Sequence, residues 1–332
     1  MKKNRIPELD FLRSSAILLL LVHHSGVYQF KIGSFPLVSL SKYINHFLLG
    51  AFVFISGFLT AITLYRKQIT DLPGYYRSRS IRVFIPYFVA LLLFIFILGI
   101  QLSARELIIH LLGLQILLSP KYSDPIRTLW FISLLVILLS ITPILIVSLR
   151  RVTRLFATYL IIFISSIFIH ITFDLIDIRF FYFFPTFVIG SLIGISKCLP
   201  VMKTSNELLV GSCFGLVIGI FMLSQNDLTY NPDLDLLHIL WSTLFILSSI
   251  ALIFRSSQWL LHFRFVQNLI LYIATGSFFA YLYHRPLWGI LNDISGITGH
   301  QTEVIVNLVS IPVVFILAYI LQNLYERVLV RL

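Results

Sequence analysis

Charge is what this chain has least of. Only 12% of its 332 residues are Asp, Glu, Lys or Arg, against 58% hydrophobic, and the mean hydropathy is +0.94. A soluble domain of this size needs far more surface polarity, so that class is excluded. Cysteine is nearly absent as well. Cys198 and Cys213 have no CxxC spacing and no histidine-rich neighbourhood, which leaves no disulfide framework and no structural zinc site. Both are expected to be packing residues. No segment repeats at a fixed period, and neither a low-complexity tail nor a linker interrupts the chain. One integral domain over 1–332 is expected, with no metal.

What is present is a series of long apolar runs. Ten candidate membrane helices fall at about 12–30, 47–65, 83–101, 129–148, 156–174, 180–196, 208–224, 236–254, 268–290 and 303–323, each near the length needed to cross a bilayer. The expected fold is therefore all-α and polytopic. A shorter apolar stretch at 105–118, between Arg105 and Pro120, suits a re-entrant or interfacial helix better than an eleventh span. The first thirty residues look superficially like a secretory signal, but Asp10 and Arg13 interrupt the entry and no small-residue cleavage site follows. A retained first span is expected.

Both termini are expected in the cytoplasm. Of the 25 Lys and Arg, only Lys31, Lys42, Arg105, Lys121, Arg127, Arg179 and Arg285 then fall on the outer side, which is the bias of the positive-inside rule. Asp174, Asp177, Asp227, Asp233, Asp235 and Asp293 fall in outer loops. The net charge of +11 is accounted for by topology and anionic lipid. It calls for no nucleic acid. A multi-pass protein of the cytoplasmic membrane is the expectation.

Polar residues inside such helices are costly and point to function. Arg13 and His24 lie eleven residues apart in the first span, about 16 Å along a helix. Arg13 can snorkel to the cytoplasmic interface, with Asp10 on the same face. His24 lies deep, where a neutral imidazole can take a proton from a hydroxyl; the bland alternative is a structural hydrogen bond. His23 points about 100° away and is the weaker candidate. Arg79 and Arg82, three apart at the start of the third span, can share a helical face and suit a phosphorylated ligand. They equally suit lipid headgroups. The segment 277–286 places Ser277, Tyr281 and His284 in the ninth span, with catalytic, substrate-lining or structural roles open to His284. Ser56 and Ser277 can line a route or merely bond between helices.

Together these segments resemble acyltransferase family 3, integral membrane proteins that acylate sugars and envelope polysaccharides. The resemblance runs over nearly the whole chain. It rests on Leu9-Asp10-x-Leu12-Arg13-x-x-Ala16 with His24, on Phe54-x-Ser56-Gly57-Phe58, and on Arg79-x-x-Arg82 with Pro86-x-Tyr87. Leu129-Trp130-Phe131, Phe184-Pro185 with Gly190, Ser277 with Tyr281-Leu282-x-His284-x-Pro286, and Tyr325-Glu326-Arg327 continue it. It implies transfer of an acyl group, expected to be acetyl, from acyl-CoA to a hydroxyl of an envelope glycan or lipid-linked sugar. Acyl-CoA would be a co-substrate, and no tightly bound cofactor is expected. His24, Arg13 and His284 would be catalytic, and Arg79 and Arg82 would hold CoA phosphates. Asp10, Ser56, Trp130, Ser277 and Tyr281 would line the route.

The competing class is an exporter that moves a polysaccharide or lipid-linked sugar unmodified, since intramembrane polar residues can also line a pathway. Against it, the chain has no paired halves with matching Gly or Pro interruptions and no intramembrane carboxylate cluster.

Overall fold

A computed structural model of the chain describes residues 5–67, 71–148, 152–196, 204–225, 229–230, 233–296 and 299–329. Lys2, Lys3, Arg150, Arg151, Lys197, Cys198, Lys203, Asp227 and Arg331 lie outside the described residues. Among those described are thirteen α-helices. They are α1 Pro7–His24, α2 Ser41–Lys67, α3 Leu72–Phe96, α4 Ala104–Leu111, α5 Gln115–Leu118, α6 Trp130–Ser148 and α7 Val152–Phe173. The series continues with α8 Ile178–Ser196, α9 Asn206–Ser224, α10 Leu236–Leu260, α11 Arg264–Ser295, α12 His300–Val309 and α13 Ile311–Leu329. A two-residue antiparallel pair, Lys31–Ile32 with Phe35–Pro36, decorates the loop after α1.

Eight helices, namely α2, α3, α7, α8, α9, α10, α11 and α13, are long and apolar enough to cross a bilayer. The chain is a multi-pass membrane protein. The other two expected spans correspond to α6, whose apolar stretch is Trp130–Leu145, and to α1, which carries Glu8, Asp10 and Arg13 in its first half.

Three boundaries differ from expectation, each for a local reason. The span expected at 12–30 ends at His24, because Gly26 at φ +98 turns the chain in a conformation that costs glycine little. The span expected at 303–323 is two helices meeting at Ser310. Pro312 cannot donate a backbone hydrogen bond into the preceding turn, so α12 stops and α13 begins. The stretch at 105–118 divides into α4 and α5 at Gly113, φ +65. Ser103 and Glu106 form a capping box at the start of α4. Gln115 then satisfies the buried turn, accepting from the Ile126 amide at 3.2 Å and donating to Tyr87 Oη at 3.2 Å. Cys213, expected to pack, is instead exposed on α9.

The centre of the bundle is α2, packed on α8, α1, α6 and α10. Its span is 72% buried, whereas the apolar window of α7 is 6% buried and so faces lipid. The α2–α8 contact depends on small residues that let backbones touch. A β-carbon at Gly190 would lie 2.5 Å from the Phe54 carbonyl oxygen, and one at Gly194 would lie 2.7 Å from that of Phe58. Gly57 faces the Phe187 carbonyl in the same way. Gly190→Ala is therefore expected to destabilise the protein by about 1–3 kcal/mol despite alanine's better helix propensity. Thermal unfolding in detergent measures this. Gly211→Ala, where nothing lies within 4 Å, is the control that should leave the transition in place.

Candidate active site

The site is built where the end of α1 meets the middle of α11. Pro7 opens α1, with Glu8 and Asp10 in its first turn, both favourable choices at a helix N-terminus. Leu9, Leu12, Ala16, Ile17, Leu20 and Leu21 form its buried stripe, at the spacing of one helical face. Ser14 Oγ donates to the Ile270 carbonyl at 2.9 Å and ties α1 to α11. This places His24, the last residue of α1, against His284. His24 Nδ1 and His284 Nε2 are 2.9 Å apart, with ring centroids 5.1 Å apart and planes inclined by 22°.

The hydrogen bonds assign the tautomers. His284 is fully buried, and its Nδ1 lies 3.0 Å and 2.9 Å from the carbonyl oxygens of Ala280 and Tyr281. A carbonyl only accepts, so His284 Nδ1 carries the proton and its Nε2 a lone pair. His24 Nδ1 must then donate to that lone pair. The consequence is that Nε2 of half-buried His24 presents a lone pair, the form a proton acceptor needs. Trp288 abuts His284 edge-on at 5.0 Å. His23 does not join the pair by hydrogen bonding. Neither of its ring nitrogens has a partner, and it stacks on Tyr28 at 4.9 Å.

A polar layer lies on the side of this pair expected to face outward. Tyr281 Oη donates to the Thr128 carbonyl, and Arg285 Nε donates to Thr128 Oγ1 at 2.7 Å. Trp130 is capped by the Arg179 guanidinium, 4.4 Å from its ring centroid. Arg179 is itself held by a bidentate pair of 2.6 Å bonds to Asp177. Phe131 bridges Trp130 and Tyr281, at 5.9 Å and 5.6 Å. Thus His24, His284, Tyr281 and Trp130 belong to one region.

The other expected residues sit elsewhere. Arg13 and Asp10 lie three residues apart on α1, toward the end opposite His24. Ser56 and Ser277 bond the carbonyls of Phe52 and Ala274 on their own helices, at 2.8 Å and 2.9 Å. Arg79 packs on Tyr75 at 5.8 Å and lines a shallow groove between α3 and α6. Arg82 is exposed, on the side of Tyr325, whose Oη donates to the Ile81 carbonyl at 2.7 Å.

One hydrogen bond joins α11 to α3. Tyr283 Oη donates to the Pro86 carbonyl at 3.0 Å, and Arg82 is one helical turn, about 6 Å, from Pro86. The arginine end of α3 is therefore linked directly to the residue beside His284.

The family model for the acyltransferase domain of acyltransferase family 3 matches residues 6–322, nearly the whole chain. The chain belongs to that family. It is a membrane acyltransferase. No curated protein and no solved structure matches it. Within this acyltransferase, Thr128, Arg285 and Trp288 are neighbours of the histidine pair that sequence reasoning did not select. Arg285 had one usable signal, a cation immediately after a histidine within an apolar helix.

Proposed function

We propose that this acyltransferase moves an acyl group, expected to be acetyl, from acyl-CoA to a hydroxyl of an envelope glycan or lipid-linked sugar at the cytoplasmic membrane. The observation that carries the reading is the His24–His284 hydrogen bond, which leaves His24 Nε2 as an oriented proton acceptor. Acyl transfer needs such a group. His24 Nε2 takes the proton of the acceptor hydroxyl while its oxygen attacks the thioester carbonyl. The C–O bond forms, the C–S bond breaks, and the leaving thiolate recovers the proton as CoA-SH. Ester and free thiol are the products, with no other reactant.

His284 is a positioning residue in this scheme, because it touches His24 and selects its tautomer. Arg79 and Arg82 hold the CoA phosphates by charge-assisted hydrogen bonds. Arg13, beside Asp10, lies along the path from that cradle to His24. An extended pantetheine arm carries the thioester from that cradle toward the histidines. Tyr281 and Trp130 line the acceptor side.

The test is release of free thiol from acetyl-CoA by purified protein with an envelope glycan acceptor. His284→Ala removes the acceptor for His24 Nδ1–H and is expected to lower turnover by about 10–100-fold. His284→Gln offers an amide oxygen to the same N–H and is expected to retain more. Equal rates for the two variants would contradict the positioning role.

A further inference from the structure

Arg285 and Arg127 are two cations that no carboxylate neutralises among the described residues. Arg285 is half-buried and bonds Thr128 Oγ1 at 2.7 Å, and Arg127, exposed in the loop before α6, directly precedes Thr128 in the chain. Neither forms an ion pair among the described residues, and Asp124, three residues before Arg127, does not come within ion-pair distance of it. The contrast is Arg179, which lies in the same layer and is neutralised by Asp177. A half-buried cation is costly when no opposite charge sits beside it. Their placement makes sense when an anion joins them.

The backbone beside them is strained to hold this arrangement. Thr128 sits at φ +75, which a β-branched residue rarely adopts. It is kept there by Tyr281 on its carbonyl and by Arg285 on its hydroxyl. Arg285 spends only Nε on Thr128, so its two terminal nitrogens remain for a forked contact with an oxyanion. It directly follows His284, whose ring bonds His24 at 2.9 Å. An anion held there would sit next to the proton acceptor.

We infer that Arg285 and Arg127 form an anion-binding subsite for the acceptor, so that the acylated sugar bears an oxyanion, carboxylate or phosphate, near the reacting hydroxyl. This rests on the acyltransferase reading above and names its acceptor class.

Purified protein in phosphatidylcholine nanodiscs, which offer no anionic headgroup to compete, is titrated with glucuronic acid, glucose 6-phosphate and glucose. At least one anionic sugar is expected to bind about tenfold or more tightly than glucose. The stronger binder identifies a carboxylate or a phosphate as the preferred anion. Arg285→Gln and the exposed Arg127→Gln should each abolish that preference, while leaving the Michaelis constant for acetyl-CoA unchanged. Indistinguishable titrations for the three sugars, no binding included, would overturn the subsite. So would an unaltered preference in both variants, or a changed acetyl-CoA constant. The two readings fail separately. If thiol release proceeds equally well with neutral acceptors, only the subsite falls, whereas no thiol release with any glycan removes the acyltransfer scheme itself.

Discussion

Replacing His24 by alanine is expected to slow acyl transfer by about a hundred- to ten-thousandfold, the usual contribution of a positioned general base. The expectation follows from geometry. His24 Nδ1 is committed to His284, whose own Nδ1 is committed to two carbonyls, so the lone pair on His24 Nε2 is both free and fixed in direction. His23 cannot substitute. It lies on another face, with ring centroid 5.7 Å from that of His24, and is stacked on Tyr28. The variant should still insert and fold, because His24 closes α1 and the buried apolar stripe of that helix is untouched. Donor affinity should not change. Thiol release is the measurement, and a normal rate in a folded His24→Ala protein would remove the assignment.

The second large effect is expected at the opposite end. The double variant Arg79→Ala/Arg82→Ala should weaken acyl-CoA binding by about a hundredfold or more, since hydrogen bonds to charged groups are worth roughly 1.5–3 kcal/mol each. Arg79 opens on the groove between α3 and α6, and Arg82 lies one turn from the Pro86 link to Tyr283. Arg77→Ala is the control. It is exposed and two residues before Arg79, on a different face of the helix, and should matter little. Equilibrium binding of CoA to the purified proteins reads the difference. Unchanged affinity in the double variant would leave the arginines as determinants of topology alone.

Much of the fold was legible because bilayer length and hydropathy dictate it. The polarity of α1 was legible for the complementary reason, that Arg13 and His24 are costly where they stand. The pairing of His24 with His284 was not. These residues are 260 positions apart, and no periodicity connects α1 to α11. Only the packed bundle does so, helped by the Ser14 bond to Ile270. Gly57 and Gly190 stood in recognisable segments, yet their physical reason emerges only when each is seen against a backbone carbonyl of the facing helix. The break at Ser310 shows the opposite failure. Pro312 was in plain view, but the apolar run continues through it, and hydropathy does not register a missing N–H. The bond between Arg285 and Thr128 is not legible in the sequence, because loop backbone and the registry of a loop on a helix leave no pattern in one dimension.

The central claim is that the chain forms an ester at the expense of a thioester. Purified protein reconstituted in vesicles is supplied with acetyl-CoA labelled in the acetyl group and with envelope glycan. The account predicts label on the glycan as an alkali-labile ester, in one-to-one proportion with free CoA thiol. Glycan crossing the vesicle membrane unlabelled, with acetyl-CoA left intact, would contradict it.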